Sequence, residues 1–240
     1  MGFIDNSRDR TVQRMFDRIA WRYDLLNRVI SFRLDGRWRK KAVSVVVKSG
    51  HERILDLGTG TGDLTFTAAR YLRGQGKVIG LDFSFKMIQL ARAKQQGEGI
   101  LRADFLQASA LLPPFRDDVF DGVMTAFVLR NVSDLRLFFV QSSRLLKPGG
   151  RLVSLDMFPP PKGIFALLYS FYFYRLIPWI GGFLAKDRQA YQYLSDSVRQ
   201  FVPPEIISEM LEQCGFENVV LQRFLCGAVC LHSANKPVRR

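Results

Sequence analysis

The chain has 240 residues, 48% apolar and 24% charged, the size and make-up of a globular domain rather than of a disordered or fibrous protein. Its 35 Lys and Arg against 22 Asp and Glu give a formal charge of +13, and residues 1–50 alone carry 12 Lys and Arg against 5 Asp. Such a balance admits phosphate-bearing partners, nucleic acid or anionic lipid, as well as a merely solubilising surface, while three cysteines without paired spacing exclude a disulfide framework and suit a reducing compartment.

Residues 1–50 predict helices, since Phe16, Ile19, Tyr23 and Leu26 recur at helical spacing. No apolar core of a secretory signal is visible there, so a cytoplasmic location is expected. Short apolar runs then predict strands at Arg53–Leu57, Lys77–Asp82, Arg102–Gln107, Phe120–Ala126 and Arg151–Asp156. Helical patterns lie between them at Leu64–Leu72, Lys86–Gln95 and Asp134–Leu146. This alternation implies parallel pairing with right-handed crossovers. Lys147-Pro148-Gly149-Gly150 reads as the turn into the fifth strand.

Ile164–Ala185 is apolar and long enough to span a bilayer, but Arg175 near its middle, Pro178 and the pair Gly181-Gly182 predict two short helices instead. A helix at Pro204–Cys214 and strands at Glu217–Arg223 and Gly227–Ser233 close the chain. The link between those strands is too short for a crossover, so they pair antiparallel. Cys226, Cys230 and His232 fall on one face of the last strand, but the spacing matches no common zinc pattern and no fourth ligand follows. The cysteines are read as small buried apolar groups, and no metal is expected. The expected whole is one α/β domain with a seven-stranded, mostly parallel sheet, an antiparallel C-terminal strand and a helical cap. Its parts are the cap at 1–50, a ligand-binding core at 51–160, an apolar lid at 161–200, and a C-terminal helix and hairpin at 201–240.

The chemistry lies in Asp56-Leu57-Gly58-Thr59-Gly60-Thr61-Gly62, at the carboxyl end of the first strand, where open α/β sheets bind ligands. Glycines there permit a tight turn and close approach of backbone to ligand. Gly58, Gly60 and Gly62 alternate, unlike the dinucleotide fingerprint, and no Gly-Lys-Ser/Thr follows, which removes a phosphate-cradling loop. Asp56, two residues before the first glycine, suits an ammonium group and no pyrophosphate, which is the amino-acid end of S-adenosylmethionine. Asp82, ending the second strand, can accept from both ribose hydroxyls. The expected cofactor contacts extend to Phe83 and Met87 after that acid, to Ser109 and Ala110 beside the adenine, and to Ala126 facing the transferring methyl. The sheet is thus expected to be Rossmann-like, that of a class I methyltransferase.

With these residues in place, the chain resembles the ubiquinone/menaquinone biosynthesis C-methyltransferases nearly end to end. The likeness rests on Met15-Phe16-Asp17-Arg18-Ile19-Ala20, Tyr23-Asp24-Leu25-Leu26-Asn27 and Ser31 to Trp38, on Phe127-Val128-Leu129-Arg130-Asn131-Val132, and on Arg144 to Gly150. Tyr191 to Ser197, Cys214-Gly215-Phe216 and Gly227 to His232 continue it. The chain departs from the usual pattern at Leu26, Asp35, Ser109, Ala126, Val128 and Asp156-Met157-Phe158, departures that bear on quinone subtype and adenine contact.

The resemblance implies methylation of a ring carbon of a polyprenylated quinol, 2-demethylmenaquinol first, with a ubiquinone precursor or another prenylated phenol as the alternative. It implies Arg130 and Asn131, after the fourth strand, and Tyr23, on the cap, as catalytic residues that stabilise a phenolate or orient a water. Tyr23, Asn27, Phe127, Phe171 and Tyr172 are the expected substrate contacts, and Phe165, Leu168 and Trp179 would extend an apolar channel for the tail. Arg130 read blandly is a structural ion pair, and Tyr23 core packing. Peripheral contact with an anionic membrane follows from the basic face, and a homodimer is left open. A nucleic-acid methyltransferase is disfavoured because the aromatics form an apolar block rather than interleaving with Lys and Arg, so no nucleic-acid partner is expected. A non-catalytic assembly subunit is disfavoured by the intact Asp56, Asp82 and Arg130.

Overall fold

The structure, a computed structural model, describes residues 7–160, 163, 164, 169, 171–173 and 188–238. Three helices come first: α1 (Ser7–Ile19), α2 (Tyr23–Ile30) and α3 (Asp35–Val46). Strand β1 (Arg53–Leu57) leads through the glycine loop into α4 (Asp63–Ala69), and β2 (Lys77–Asp82) leads into α5 (Phe85–Glu98). Then follow β3 (Ala103–Gln107), β4 (Phe120–Ala126), α6 (Leu135–Leu145) and β5 (Leu146–Met157). Two helices, α7 (Arg188–Arg199) and α8 (Pro204–Gln213), precede β6 (Glu217–Phe224) and β7 (Val229–Asn235).

The strands form one sheet in the order β3-β2-β1-β4-β5-β7-β6. All pairings from β3 to β5 are parallel, and β7 runs antiparallel to both β5 and β6. The expected sheet and its closing hairpin are thus observed. Central β1 is buried on both faces, as a strand flanked by helices must be: Ile54 packs with Trp38 of α3 and Phe66 of α4, whereas Leu55 and Leu57 pack with Phe138 and Phe139 of α6. The order reverses between β1 and β4, and that switch point opens a crevice at the carboxyl ends of the strands.

Two local readings need correction. Lys147–Gly150 is not a turn before β5 but an excursion within it, since Phe120 pairs with Leu146 and Gly122 already pairs with Arg151. Cys226 does not lie on the last strand: Leu225 and Cys226 adopt left-handed backbone, with φ of 45° and 50°, which breaks the extended run and leaves the Cys226 side chain exposed. Cys230 is fully buried and its thiol is pushed up to about 12 by burial, the behaviour of a small apolar residue. Among the described residues no group of side chains could hold a metal, and no helix is long and apolar enough to cross a membrane. The break predicted at Arg175, Pro178 and Gly181-Gly182, like Phe165, Leu168 and Trp179, lies outside the described residues.

Candidate active site

The glycine loop turns back on β2: Gly58 and Thr59 both donate backbone N–H groups to Leu81 O, at 2.8 and 2.9 Å. Gly58 and Gly62 carry φ of +76° and +91°, and a Cβ on Gly58 would stand 2.5 Å from Val128 Cγ2. Only glycine lets the loop pass this close to the segment after β4.

Asp56 is buried, and its Oδ2 accepts from the hydroxyls of Thr59 at 2.9 Å and Thr65 at 2.7 Å. Its Oδ1 is buried without a partner. Burial pushes this carboxyl up to about 6 against the pull of Thr65, Thr59 and Arg39. Asp82 accepts from Gly60 N at 2.8 Å and Ser84 N at 2.9 Å, one bond to each oxygen, and is also pushed up to about 6, again chiefly by burial. A carboxylate offers about four lone-pair sites, so capacity for ribose hydroxyls remains.

Around Asp56 opens a cleft of about 320 Å³, counting its mouth, lined by Arg39, Asp56, Gly58, Thr59, Gly60, Thr61, Asp63, Leu64 and Ala126. An orphaned carboxylate oxygen in a glycine-walled cleft fits an ammonium-bearing ligand. Phe83 borders Asp82 and its carbonyl accepts from Gln13 and Gln107. Ser109 and Ala110 follow the end of β3, where Ala108 N donates to Asp82 O at 2.9 Å; Ser109 is exposed. Met87, in the first turn of α5, is buried, and its N–H is capped by Ser84 Oγ.

The cap is tied to this loop by residues to which the sequence assigned no role in the site. Asp24 of α2 accepts from the Thr61 hydroxyl and pairs with Lys94 of α5, which also reaches Asp63 at 3.1 Å. Asp17 of α1 accepts from Ser84 Oγ. Arg39 of α3 pairs with Asp35, approaches Asp63 at 3.6 Å and lies over the Phe127 ring at 5.5 Å from its centroid. A signal was available for one pair: Asp35 and Arg39 stand four apart on a helix, a spacing that brings opposite charges together.

The expected catalytic residues divide. Arg130 is buried, donating from Nη1 to Asp156 Oδ1 at 2.6 Å, while its Nε is buried without a partner. Asp156 also accepts from Leu129 N and Met157 N, both at 2.8 Å; burial pushes its carboxyl up while Arg130 and these amides pull it back. Asn131 accepts from the Tyr193 hydroxyl of α7 at 3.1 Å. Tyr23 opens α2, but its side chain lies outside the described set. Asn27, also on α2, has a buried Nδ2 with no partner among the described residues. Phe127 follows β4 with φ of +64°. Tyr172 stacks on Phe32, its ring 5.2 Å away, and its hydroxyl donates to Ile30 O at 3.2 Å; Phe171 is 61% exposed. The structure therefore attaches Tyr172 to the cap and leaves Phe171 at the surface.

The sequence matches the profile of the ubiE/COQ5 methyltransferase family over residues 4–236. The chain belongs to the ubiE/COQ5 methyltransferase family. It is 43% identical to a demethylmenaquinone methyltransferase of Thermus thermophilus over 93% of this chain and all of that protein. It is 40% identical to a ubiquinone/menaquinone biosynthesis C-methyltransferase of Desulfotalea psychrophila, over 92% of this chain and 88% of that one. A solved S-adenosylmethionine-dependent methyltransferase of Aquifex aeolicus superposes with a TM-score of 0.57 at 19% identity, covering 82% of this chain and 88% of its own, a likeness of fold. The chain is an S-adenosylmethionine-dependent methyltransferase of the class I fold.

Replacing Asp82 by Ala is expected to weaken S-adenosylmethionine binding about 10- to 100-fold, the worth of a charge-assisted pair of hydrogen bonds. Titration calorimetry measures it, and an unchanged Kd would remove Asp82 from the cofactor site.

Proposed function

We propose that the enzyme methylates a ring carbon of a polyprenylated quinol, 2-demethylmenaquinol, and does so at an anionic membrane surface. The observation that carries the acceptor reading is the buried, unpartnered Nε of Arg130, four residues beyond Ala126 of the cofactor cleft. A buried donor without a partner calls for an acceptor from a ligand, and a quinol oxygen losing its proton is a strong one. When bound, S-adenosylmethionine would supply an electrophilic methyl on sulfur and leave as S-adenosylhomocysteine; the ring carbon that takes the methyl gives up its own hydrogen as a proton, and the hydroxyl regains the phenolic proton lost before the attack. A ring carbon is a weak nucleophile until that proton is lost, so the residues around it must favour the phenolate and hold the ring in line. Arg130, fixed by Asp156, suits the first task. Neither histidine lines the cleft. His232 is buried with its ring on Pro204 O, and burial lowers it to about 4, while His51 stands beside Gly74. Asn131 is hydrogen-bonded to Tyr193 of α7, and Asn27 of α2 and Phe127 after β4 are the further candidate contacts of the ring. The names of the relatives from Thermus thermophilus and Desulfotalea psychrophila support a quinone-pathway acceptor. Labelled-methyl transfer to a panel of reduced demethylated quinols tests the reading. Incorporation into demethylmenaquinol is expected; incorporation only into benzoquinols moves the assignment to the ubiquinone branch, and incorporation into neither overturns it.

The membrane reading is supported by exposed aromatic and aliphatic residues together with exposed cations. Trp21 is 68%, Phe32 70%, Phe171 61% and Ile164 83% exposed. Arg14, Arg18, Arg28, Arg33, Arg37, Lys40 and Lys41 are exposed on the N-terminal cap that carries Trp21 and Phe32. Each basic side chain near an anionic surface adds about 1 kcal/mol, and an apolar tail must leave the bilayer without crossing water. The enzyme is expected to float with anionic vesicles at moderate salt and to be released at high salt. Failure to float removes the membrane arm alone.

A further inference from the structure

Among the described residues lining the cofactor cleft, Arg39 is the only cation, and its side chain is 8% exposed. A buried guanidinium is costly unless its donors are used. Both of its ion pairs, to Asp35 and to Asp63, are made through Nη1, and it makes no hydrogen bond to any other described residue. It is also held in place: Asp35 stands one helical turn earlier, and the Phe127 ring lies beneath it at 5.5 Å. We propose that Arg39 binds the carboxylate of the methionine portion of S-adenosylmethionine, while Asp56 Oδ1 faces the ammonium of the same group.

The charges of the cleft argue for this pairing. Asp56 and Asp63 line it as acids, so a carboxylate entering has one favourable partner and an ammonium has its own. The orphaned oxygen of Asp56 and the guanidinium of Arg39 share one small cleft, and Arg39 is near enough to act on the Asp56 carboxyl. A planar guanidinium presents a fork of donors that matches a carboxylate in two parallel bonds. Because Asp35 and Phe127 fix the fork before the ligand arrives, little conformational freedom is lost on binding. Arg39 also couples the two halves of the site, since the ring beneath it belongs to Phe127, directly after Ala126.

The test uses binding alone, with no acceptor present, so it is independent of the quinol reading. Calorimetry compares S-adenosylmethionine with its decarboxylated form, which keeps the ammonium and the sulfonium. Wild-type protein is expected to prefer the carboxylate-bearing compound by about 10- to 100-fold, the strength of a charge-assisted pair of bonds. In Arg39→Gln that preference should vanish, with affinity for the decarboxylated compound within about threefold of wild type. Arg39→Lys, a point charge without the fork, should keep part of the preference. Since Arg39→Gln leaves Asp35 buried without its cation, with only the Ser31 hydroxyl still donating to it, Asp35→Asn/Arg39→Gln removes both charges and guards against misfolding. Equal affinities of wild type for the two compounds would overturn the proposal whichever variants fold. So would an equal loss of both in Arg39→Gln, the signature of a residue that only shapes the loop. Binding of neither compound would overturn it together with the cofactor site itself.

Discussion

Arg130→Ala is expected to abolish methyl transfer and to lower stability by about 3–5 kcal/mol, because it strips a buried carboxylate of its charge partner. The Arg130 and Asp156 side chains are 5% and 0% exposed, so bulk solvent does little to screen the charge that is left. Two backbone amides would still reach Asp156, from Leu129 and Met157, but they cannot balance a full charge. The loss of activity alone would not separate catalysis from collapse of the turn after β4. The neutral pair Arg130→Met/Asp156→Asn separates them: its Asn can still accept from one of those amides, and no unpaired charge is left in the interior. Thermal unfolding should recover most of the lost stability, whereas labelled-methyl transfer should stay at background. Turnover near wild type in the double variant, or in Arg130→Ala itself, would reduce Arg130 to a structural ion pair.

The centre of the sheet was legible because its strands are buried on both faces. Runs such as Ile54-Leu55-Asp56-Leu57 and Val123-Met124-Thr125-Ala126 announce buried parallel strands whatever their partners. The glycine loop was legible because its chemistry is local: the turn, the acid before it and the strand beneath all fall within a few residues. Contacts between distant residues were not. Asp156 stood out in the sequence only as a departure from the usual pattern, although 26 residues away it is the partner that fixes Arg130. Asp24 lay inside a block noted for its resemblance, yet nothing local says that its carboxylate reaches Thr61, 37 residues on. Arg39 looked like one more charge on a basic N-terminal segment until α3 placed it in the cleft. Cys226 misled because periodicity cannot see a left-handed pair of residues ending a strand.

The affinity for S-adenosylmethionine is expected to rise with pH through about 6, while the stability of the unliganded enzyme falls over the same range. Asp56 and Asp82 both titrate near 6 in the fold against 3.8 ordinarily, each pushed up chiefly by burial. The fold therefore holds these two protons more tightly than an unfolded chain does. Their contribution to stability is fully present below about pH 4 and is lost as pH rises through about 6, with a ceiling of about 3 kcal/mol for each group. The ligand reverses the preference, because an ammonium beside Asp56 and hydroxyls donating to Asp82 favour the ionised carboxylates. Below pH 6 each group that must ionise on binding weakens affinity by up to about tenfold per pH unit. Above about pH 8 affinity should decline again as the ammonium of the ligand loses its proton. Calorimetry from pH 5 to 8 measures the rise, and a flat profile would exclude a charged Asp56 from ligand binding. Asp56→Asn offers an independent check, since Asn mimics the protonated acid while keeping an oxygen for Thr59 and Thr65. Without ligand the variant should match wild type near pH 4 and exceed it by up to about 3 kcal/mol near pH 8, and it should bind S-adenosylmethionine weakly at both. A variant less stable than wild type at pH 8 would mean that the buried charge is stabilised by partners other than Thr59, Thr65 and Arg39.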